Sequence, residues 1–515
     1  MATSWFTGRR TDRDHPLDYM NPSSILGVML SAAQLTGPYV FPSIAQFRDR
    51  TDELAALEAW YDDASEWRAL TLFGRRRVGK SWLFRAFAHG RDVDIFVAST
   101  RSLTDQLGGF AEILERDGER PALPDLETFL RTLYRRARSS RRLAVIDELP
   151  YLWAAEKNLP SILLRVMEEE AAGSRLKLLV AGSHLGMMEK LLAEREPLHD
   201  RLRPLRVRAL DFWHAREILG AGDAVVLLTA YGVAGGLPRY LAEVAGAQDP
   251  VQRLADLCLD PHGPLFDEPR AILAQELEVP NTYFSILATL ASGPAAWGDI
   301  VSRSGVESGK LTRYLRTLQD LGLIAVRAPI TERDPSNSRN RLYSLDDGFL
   351  RFWFRFVFPF QADLEAGLRG STVLGSEVLP ALAGHLAPTI EDIARGWVRR
   401  KGLGGATRIG AWWGPALDTF RASGERTREE IDIVGVARGR VSIVGEVRWR
   451  NKPMDVGVLG EIERFKLPAL RAAAPVAVRP AIVLVSRSGF TDGLREAAAA
   501  DDRIRLVELE ELVAG

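Results

Sequence analysis

Eight residues, Gly74-Arg75-Arg76-Arg77-Val78-Gly79-Lys80-Ser81, limit what this chain can fold into more than any other stretch. The apolar run Ala69-Leu70-Thr71-Leu72-Phe73 precedes them, and Trp82-Leu83-Phe84-Arg85-Ala86-Phe87 follows in helical rhythm. Strand, glycine-bounded turn and helix, in that order, are the setting in which GxxxxGK[ST] wraps phosphate. Gly74 and Gly79 free the backbone for a tight wrap, and the first turn of the helix offers unpaired N–H groups. In this reading Lys80 neutralises the β- and γ-phosphates of ATP, and the Ser81 hydroxyl binds Mg²⁺. The pattern implies a nucleotide-binding protein.

With 515 residues, the chain is long enough for three or four domains at roughly 100–200 residues each. Lys and Arg number 67 against 68 Asp and Glu, so contact with nucleic acid must come from local basic faces rather than overall charge. The single cysteine, Cys258, excludes an intrachain disulfide framework. No apolar stretch approaches the roughly 18 residues that span a bilayer. The run Ile25 to Ala33 is short and makes a poor signal peptide, because Asp12, Asp14 and Asp18 offset Arg9, Arg10 and Arg13. The expectation is a cytoplasmic protein with no membrane partner.

Residues 1–40 read as a loosely ordered leader, and 41–211 as the nucleotide core. After the loop helix come a strand at Val93–Ala98, a helix at Leu123–Arg138, and Leu143-Ala144-Val145-Ile146-Asp147-Glu148, an apolar strand ending in two acids. Lys177 to Ser183 is a further strand, ending in a hydroxyl. Alternation of this kind predicts a parallel, doubly wound α/β sheet with ligands at the carboxyl ends of its strands. There Asp147 would hold Mg²⁺ through its water shell, and Glu148 would orient and deprotonate the attacking water. Ser183, with His184, would touch the γ-phosphate or the water, or cap the helix that follows. Transfer of a phosphoryl group also needs positive charge. Arg201 is the candidate, from its own chain or a neighbouring subunit, with Arg203, Arg206 and Arg208 as rivals.

Residues 212–280 read as a helical lid interrupted by Gly235-Gly236-Leu237-Pro238. Residues 281–345 order themselves as three helices, a strand, a polar loop and a strand, which is a winged helix-turn-helix. Its third helix, Ser308–Leu321, carries Leu311, Leu315, Leu318 and Leu321 on one face and Lys310, Arg313 and Arg316 elsewhere. Arg333, Arg339 and Arg341 lie in or beside the wing, so phosphate contacts along DNA are a candidate role for both elements. Residues 346–370 form an aromatic-rich connector, read as packing between domains.

Phe47-Arg48-Asp49-Arg50-Thr51-Asp52-Glu53-Leu54, GRRRVGKS, VIDELPYL, AGSHLGMME, PLHDR and YGVAGGLPRYL follow one another in order. Together they resemble the archaeal-type P-loop ATPases of the STAND/AAA+ grouping, over about residues 41–345. The resemblance implies that Arg48 to Glu53, including Asp49 and Arg50, sit near the adenine. It further implies that Gly236 and Pro238 form a GxP element coupling nucleotide state to the lid and winged helix. Asp49 stands where the family often has glycine, and His184 where it often has serine. The nucleotide-contacting set is therefore Arg48, Asp49, Arg50, the loop Gly74 to Trp82, and Pro238.

Residues 371–515 read as a final α/β domain. Glu429 to Val436 and Val441 to Trp449 are two strands joined by a hairpin, which brings Asp432 and Glu446 together as hard oxygen ligands for a second divalent cation. A helix, Val458–Ala472, and a strand, Pro480–Ser486, follow. This order resembles the PD-(D/E)XK nuclease, or restriction-endonuclease-like, fold that accompanies such ATPases. The resemblance makes Asp432 and Glu446 its acids and Glu391, on a helix at Thr389–Arg399, an accessory acid. Arg448 stands where the family has lysine, a swap that is not conservative, and Lys452 is a nearby substitute. Two outputs follow: an ATPase switch coupled to metal-dependent phosphodiester cleavage, or an ATP-controlled signalling, assembly or DNA-binding protein whose terminal domain only binds. Either allows a homo-oligomer or a protein partner.

Overall fold

The computed structural model describes residues 39–515 apart from 275, 276, 278, 279, 336, 423 and 425. The leader expected at 1–40 lies almost wholly outside the described residues. Helix α1 (Thr51–Asp62) leads into strand β1 (Ala69–Phe73), the loop, and helix α2 (Lys80–Ala88). Strands β2 (Val93–Val97), β3 (Arg142–Asp147), β4 (Leu176–Gly182) and β5 (Leu202–Arg206) complete a parallel sheet in the order β2-β3-β4-β1-β5. Every residue of β1 and β4 is buried, which is why both read as mostly apolar runs, broken only by Thr71 and Lys177. β4 separates β1 from β3, so Ser183, just beyond β4, falls between the loop and the acidic pair.

Helix α3 (Leu149–Ala155) lies between β3 and β4, and after β5 come α4 (Phe212–Leu219), α5 (Ala224–Ala234) and α6 (Pro238–Val244), the start of a helical layer. Then come α7 (Pro280–Ala291), α8 (Trp297–Ser304), α9 (Ser308–Asp320) and an antiparallel pair, β6 (Ile324–Arg327) with β7 (Leu342–Leu345). On α9, Leu311, Leu315 and Leu318 are buried, while Lys310, Arg313 and Arg316 are exposed. The aromatic stretch is helix α10 (Gly348–Phe356), with Phe349, Phe352, Trp353, Phe354 and Phe356 all buried. Asp347 caps it by accepting from the Leu350 amide at 2.8 Å.

Helix α11 (Leu379–Arg400) lies against a second sheet built from β8 (Arg408–Pro415), β9 (Arg428–Ala437), β10 (Arg440–Arg448), β11 (Val476–Ser486) and β12 (Ile504–Val507). The β8–β9 and β9–β10 pairs are antiparallel, and β10–β11 and β11–β12 are parallel. The expected helix at 458–472 is interrupted by a π turn at Ile462–Lys466. The two halves of the chain share one apolar core, from Leu57 to Val513. Hydrogen bonds reinforce it: Trp213 Nε1 donates to Leu512 O at 3.2 Å and Arg216 to Val513 O at 2.6 Å. The loop between β6 and β7 is also engaged, because Ile330 N donates to Ala411 O and Trp413 Nε1 to Asn340 O, both at 2.9 Å.

His385 on α11 is 1% exposed beside the rings of Phe352 and Phe356, and neither ring nitrogen has a hydrogen-bond partner. Burial, then Arg351 and Arg355, push its pKa well below the usual 6.5. The fold thus keeps it neutral, while the unfolded chain takes up a proton there on acidification. The wild-type protein is expected to lose up to about 1.4 kcal/mol per pH unit below that value, and His385→Leu to lose less. Thermal melts between about pH 7 and about pH 5 check this.

Candidate functional site

The carboxyl ends of β1, β3 and β4 converge on one constellation. Lys80 Nζ donates to the carbonyls of Gly74 (2.8 Å) and Arg75 (3.1 Å), which places it inside the curl of the loop. Ser81 Oγ donates to Asp147 Oδ2 at 3.0 Å. Burial, then the Glu148 charge, raises the Asp147 pKa against the pull of Lys80 and Ser81. A hydroxyl and a carboxylate held this way are the hard oxygen pair that Mg²⁺ takes while keeping several waters. Among the described residues no group of three or more His, Cys, Asp or Glu gathers as a metal cage.

Glu148 stands at the N-cap of α3 with φ +55°, a left-handed conformation, and its side chain reaches Ser183 at the end of β4. Ser183 Oγ donates to both carboxylate oxygens of Glu148, at 3.0 and 2.8 Å, and its amide lies 3.3 Å from one of them. Ser183 therefore holds the candidate base. It is not a helix cap, since His184 is the N-cap residue and its Nδ1 accepts from Met187 N at 3.3 Å. That bond engages only Nδ1 of the His184 ring.

The loop is braced from several directions. A Cβ on Gly74 would stand 2.3 Å from Val207 O, so only glycine fits. Gly79 (φ +95°) lies within 3.7 Å of the Pro238 ring by the same construction, which sets Pro238 against the loop. Arg50 donates to Val78 O at 2.8 Å and pairs with Glu53. Asp49 and Arg50 adopt φ +61° and +66°, a region glycine enters most easily. Arg48 is exposed and donates to Ala45 O and Phe47 O. Arg75 pairs with Asp347 at 3.2 Å, Arg76 donates to Tyr151 Oη at 3.1 Å, and Arg77 reaches Glu268 at 3.4 Å. Trp82 stacks edge-on with Phe41.

Gly236 accepts from Leu210 N at 2.8 Å, and a Cβ there would lie 2.1 Å from Leu210 O. Gly236→Ala is expected to cost about 1–3 kcal/mol through overpacking, read as a lower melting temperature.

Arg201 does not meet the expectation of a finger within its own chain. The parallel register Ala69↔Leu202 and Phe73↔Arg206 puts it just before the amino end of β5, level with residue 68 and about 20 Å along the strand from the loop. It lies over Trp67 and faces Glu168 at 3.4 Å. Arg206 and Arg208 occupy the loop's end of the sheet instead, lining a cleft with Gly74, Arg75 and Val207.

A second cluster forms in the C-terminal sheet. The register Ile433↔Gly445 sets Asp432 and Glu446 on neighbouring strands, and Asp432 Oδ2 accepts from Val447 N at 2.8 Å. Arg448 lies 2.8 Å from Glu446 Oε2 and 3.9 Å from Asp432 Oδ2. Lys466 Nζ donates to Glu446 Oε1 at 2.5 Å. The lysine at this site is thus Lys466, from the π turn, whereas Lys452 is exposed. Burial, then the Asp432 charge, raises the Glu446 pKa against Lys466 and Arg448. Glu391 on α11 is raised by burial and by Asp432 in the same way. Arg339 and Arg333 are exposed, and Lys310 pairs with Glu307 at 2.7 Å.

This is a P-loop ATPase fold: a parallel sheet with the glycine loop, the acidic pair and a polar residue at its carboxyl edge. Residues 47–244 match a family described as an ATPase domain predominantly from Archaea. Residues 353–458 match a second family, of archaeal and bacterial proteins of unknown function, which takes in Glu391, Asp432, Glu446 and Arg448. An uncharacterized protein of Methanocaldococcus jannaschii is 27% identical over 424 residues, covering 80% of this chain and 89% of that protein. A Walker-type ATPase of Pyrococcus abyssi is similar at 19% identity and a TM-score of 0.45, covering 60% of this chain and 96% of its own. The ORC2 protein of Aeropyrum pernix is similar at 15% identity and a TM-score of 0.42, covering 64% and 96%. Among the described residues no single helix is long and apolar enough to cross a membrane.

Proposed function

We propose that this protein is an Mg²⁺-dependent ATPase whose nucleotide state acts on a C-terminal acid cluster. The observation that carries the reading is the continuous set Lys80, Ser81, Asp147, Glu148 and Ser183 at one sheet edge. Lys80, surrounded by loop carbonyls, is exchanged onto the β- and γ-phosphates when ATP enters. Ser81 and Asp147 would hold Mg²⁺, which supplies charge neutralisation at the phosphates. Glu148, released from Ser183, takes the proton of the attacking water, and Ser183 is then free to bond the γ-phosphate. Positive charge at the transferring group comes from Arg206 or Arg208 within the chain, or from Arg201 of a second copy. Phosphate release measured with Mg²⁺, with EDTA and in Ser81→Ala tests the metal assignment. Loss in both of the latter supports it, and full activity in EDTA overturns it.

For the output we favour metal-dependent phosphodiester cleavage of DNA at Asp432 and Glu446, with Glu391 as accessory acid and Lys466 supplying the cation beside Arg448. Helices α7–α9 with the β6–β7 pair form a winged helix-turn-helix in this reading, and Lys310, Arg313, Arg316 and Arg339 meet phosphates. A binding-only domain is the second reading, favoured by the pairing of Glu446 with two cations at once. Plasmid, linear and single-stranded DNA incubated with Mg²⁺ or Mn²⁺, with and without ATP, separate the two. Nicking that vanishes in Asp432→Ala supports cleavage; salt-sensitive binding without nicking supports the second.

A further inference from the structure

The loop and the acid cluster are joined by charge. Arg75, inside the loop, pairs with Asp347 at 3.2 Å across 272 residues of sequence. The preceding residue, Asp346, accepts from Arg327 at 2.8 Å. Arg327 grips both oxygens of Asp392 on α11, at 3.0 and 2.8 Å. Asp392 in turn accepts from Arg395 at 2.7 Å, and the other end of Arg395 donates to the main-chain carbonyl of Asp432 at 2.6 Å. Arg395 also stands 3.8 Å from Glu391. Each link is a direct contact, apart from the single peptide step between Asp346 and Asp347.

We propose that this chain of ion pairs is a relay that carries nucleotide occupancy from Arg75 to the Asp432–Glu391 end of the C-terminal cluster. It rests on the reading of the loop as an ATP site and adds the route by which that site regulates the other. The switching element is the Asp346-Asp347 turn at the start of α10. The Asp347 side chain is only 2% exposed, with Arg75 as its counter-ion. Incoming phosphates compete for Arg75, as they do for Lys80, which is held on the Arg75 carbonyl. A buried carboxylate that loses its cation is costly, so the turn must shift to re-solvate or re-pair it. Asp346 moves with it and reorients Arg327, which is fixed at its other side to α11. Desolvation pushes the Asp392 pKa up, but Arg395 and Arg327 override it and hold it at about 2. Asp392 therefore stays charged and transmits the change by displacement rather than by protonation. The route ends on the backbone of β9, where a small shift moves the Asp432 carboxylate relative to Glu446.

Hydrogen exchange of the full-length chain, with and without a non-hydrolysable ATP analogue and Mg²⁺, tests the relay. Wild type is expected to change exchange on the order of fivefold at residues 389–400 and 428–436, as well as at the loop. In Arg327→Gln the distal change should vanish, while analogue affinity and the response at residues 74–82 stay within about twofold. Asp346→Asn should behave alike and stands in should Arg327→Gln fail to fold. A distal response of wild-type size in either folded variant overturns the relay, as does a wild-type response confined to the ATPase sheet. Absence of nucleotide binding by wild type overturns the ATP-site reading and the relay with it.

Discussion

Glu148→Gln is expected to bind ATP as wild type does and to turn it over roughly 10²–10⁴-fold more slowly. Glutamine preserves the size of the side chain and can still bond Ser183, so the end of β4 keeps its geometry. It cannot take a proton from water. The lysine, the hydroxyl and Asp147 remain to hold nucleotide, which is why the loss should fall on turnover and leave KM nearly unchanged. Ser183→Ala offers a useful contrast, because it frees Glu148 from both contacts while removing the hydroxyl from the phosphate end. Steady-state phosphate release, with binding measured separately by a fluorescent nucleotide, distinguishes the two variants.

Glu446→Gln should destabilise the C-terminal sheet by about 3–5 kcal/mol. The Glu446 side chain is fully buried, and it is the shared counter-ion of Lys466 and Arg448. Neutralising it strands a lysine that is nearly buried itself, and burial of an unpaired charge costs far more than the pair contributed. Replacing Lys466 as well, in Glu446→Gln with Lys466→Met, should recover much of the loss, since a neutral side chain of similar volume asks for no counter-ion. Denaturant unfolding of the single and double variants measures the coupling. Equal losses in Glu446→Gln and in the double variant would show that Lys466 does not depend on Glu446.

What the sequence disclosed was what lies close together along the chain. GRRRVGKS was legible because loop, strand and helix are contiguous, and Asp147-Glu148 because the acids end an apolar run. The strand pair bearing Asp432 and Glu446 was legible from a tight turn between two β-rich stretches. The contacts that decide roles were not. Ser183 meets Glu148 across 35 residues, and that pairing depends on β4 lying between β1 and β3. Arg201 belongs to the far end of the sheet because β5 runs parallel to β1, and strand direction is not written in a short basic motif. Lys466 reaches Glu446 from a π turn inside a helix, where spacing gives no warning. The Arg75–Asp347 pair joins residues with no local pattern in common. Strand β8, unforeseen in the sequence, occupies the sheet edge beside β9 and binds the β6–β7 loop.

The most direct test of the central claim is Mg²⁺-dependent ATP hydrolysis by the full-length chain beside Lys80→Ala. Removing the cation that the loop carbonyls hold in place should lower turnover by at least about 10²–10³-fold. Phosphate release that is present in wild type, absent with EDTA and lost in Lys80→Ala is the expected result. Equal release by wild type and Lys80→Ala would contradict the assignment of the site.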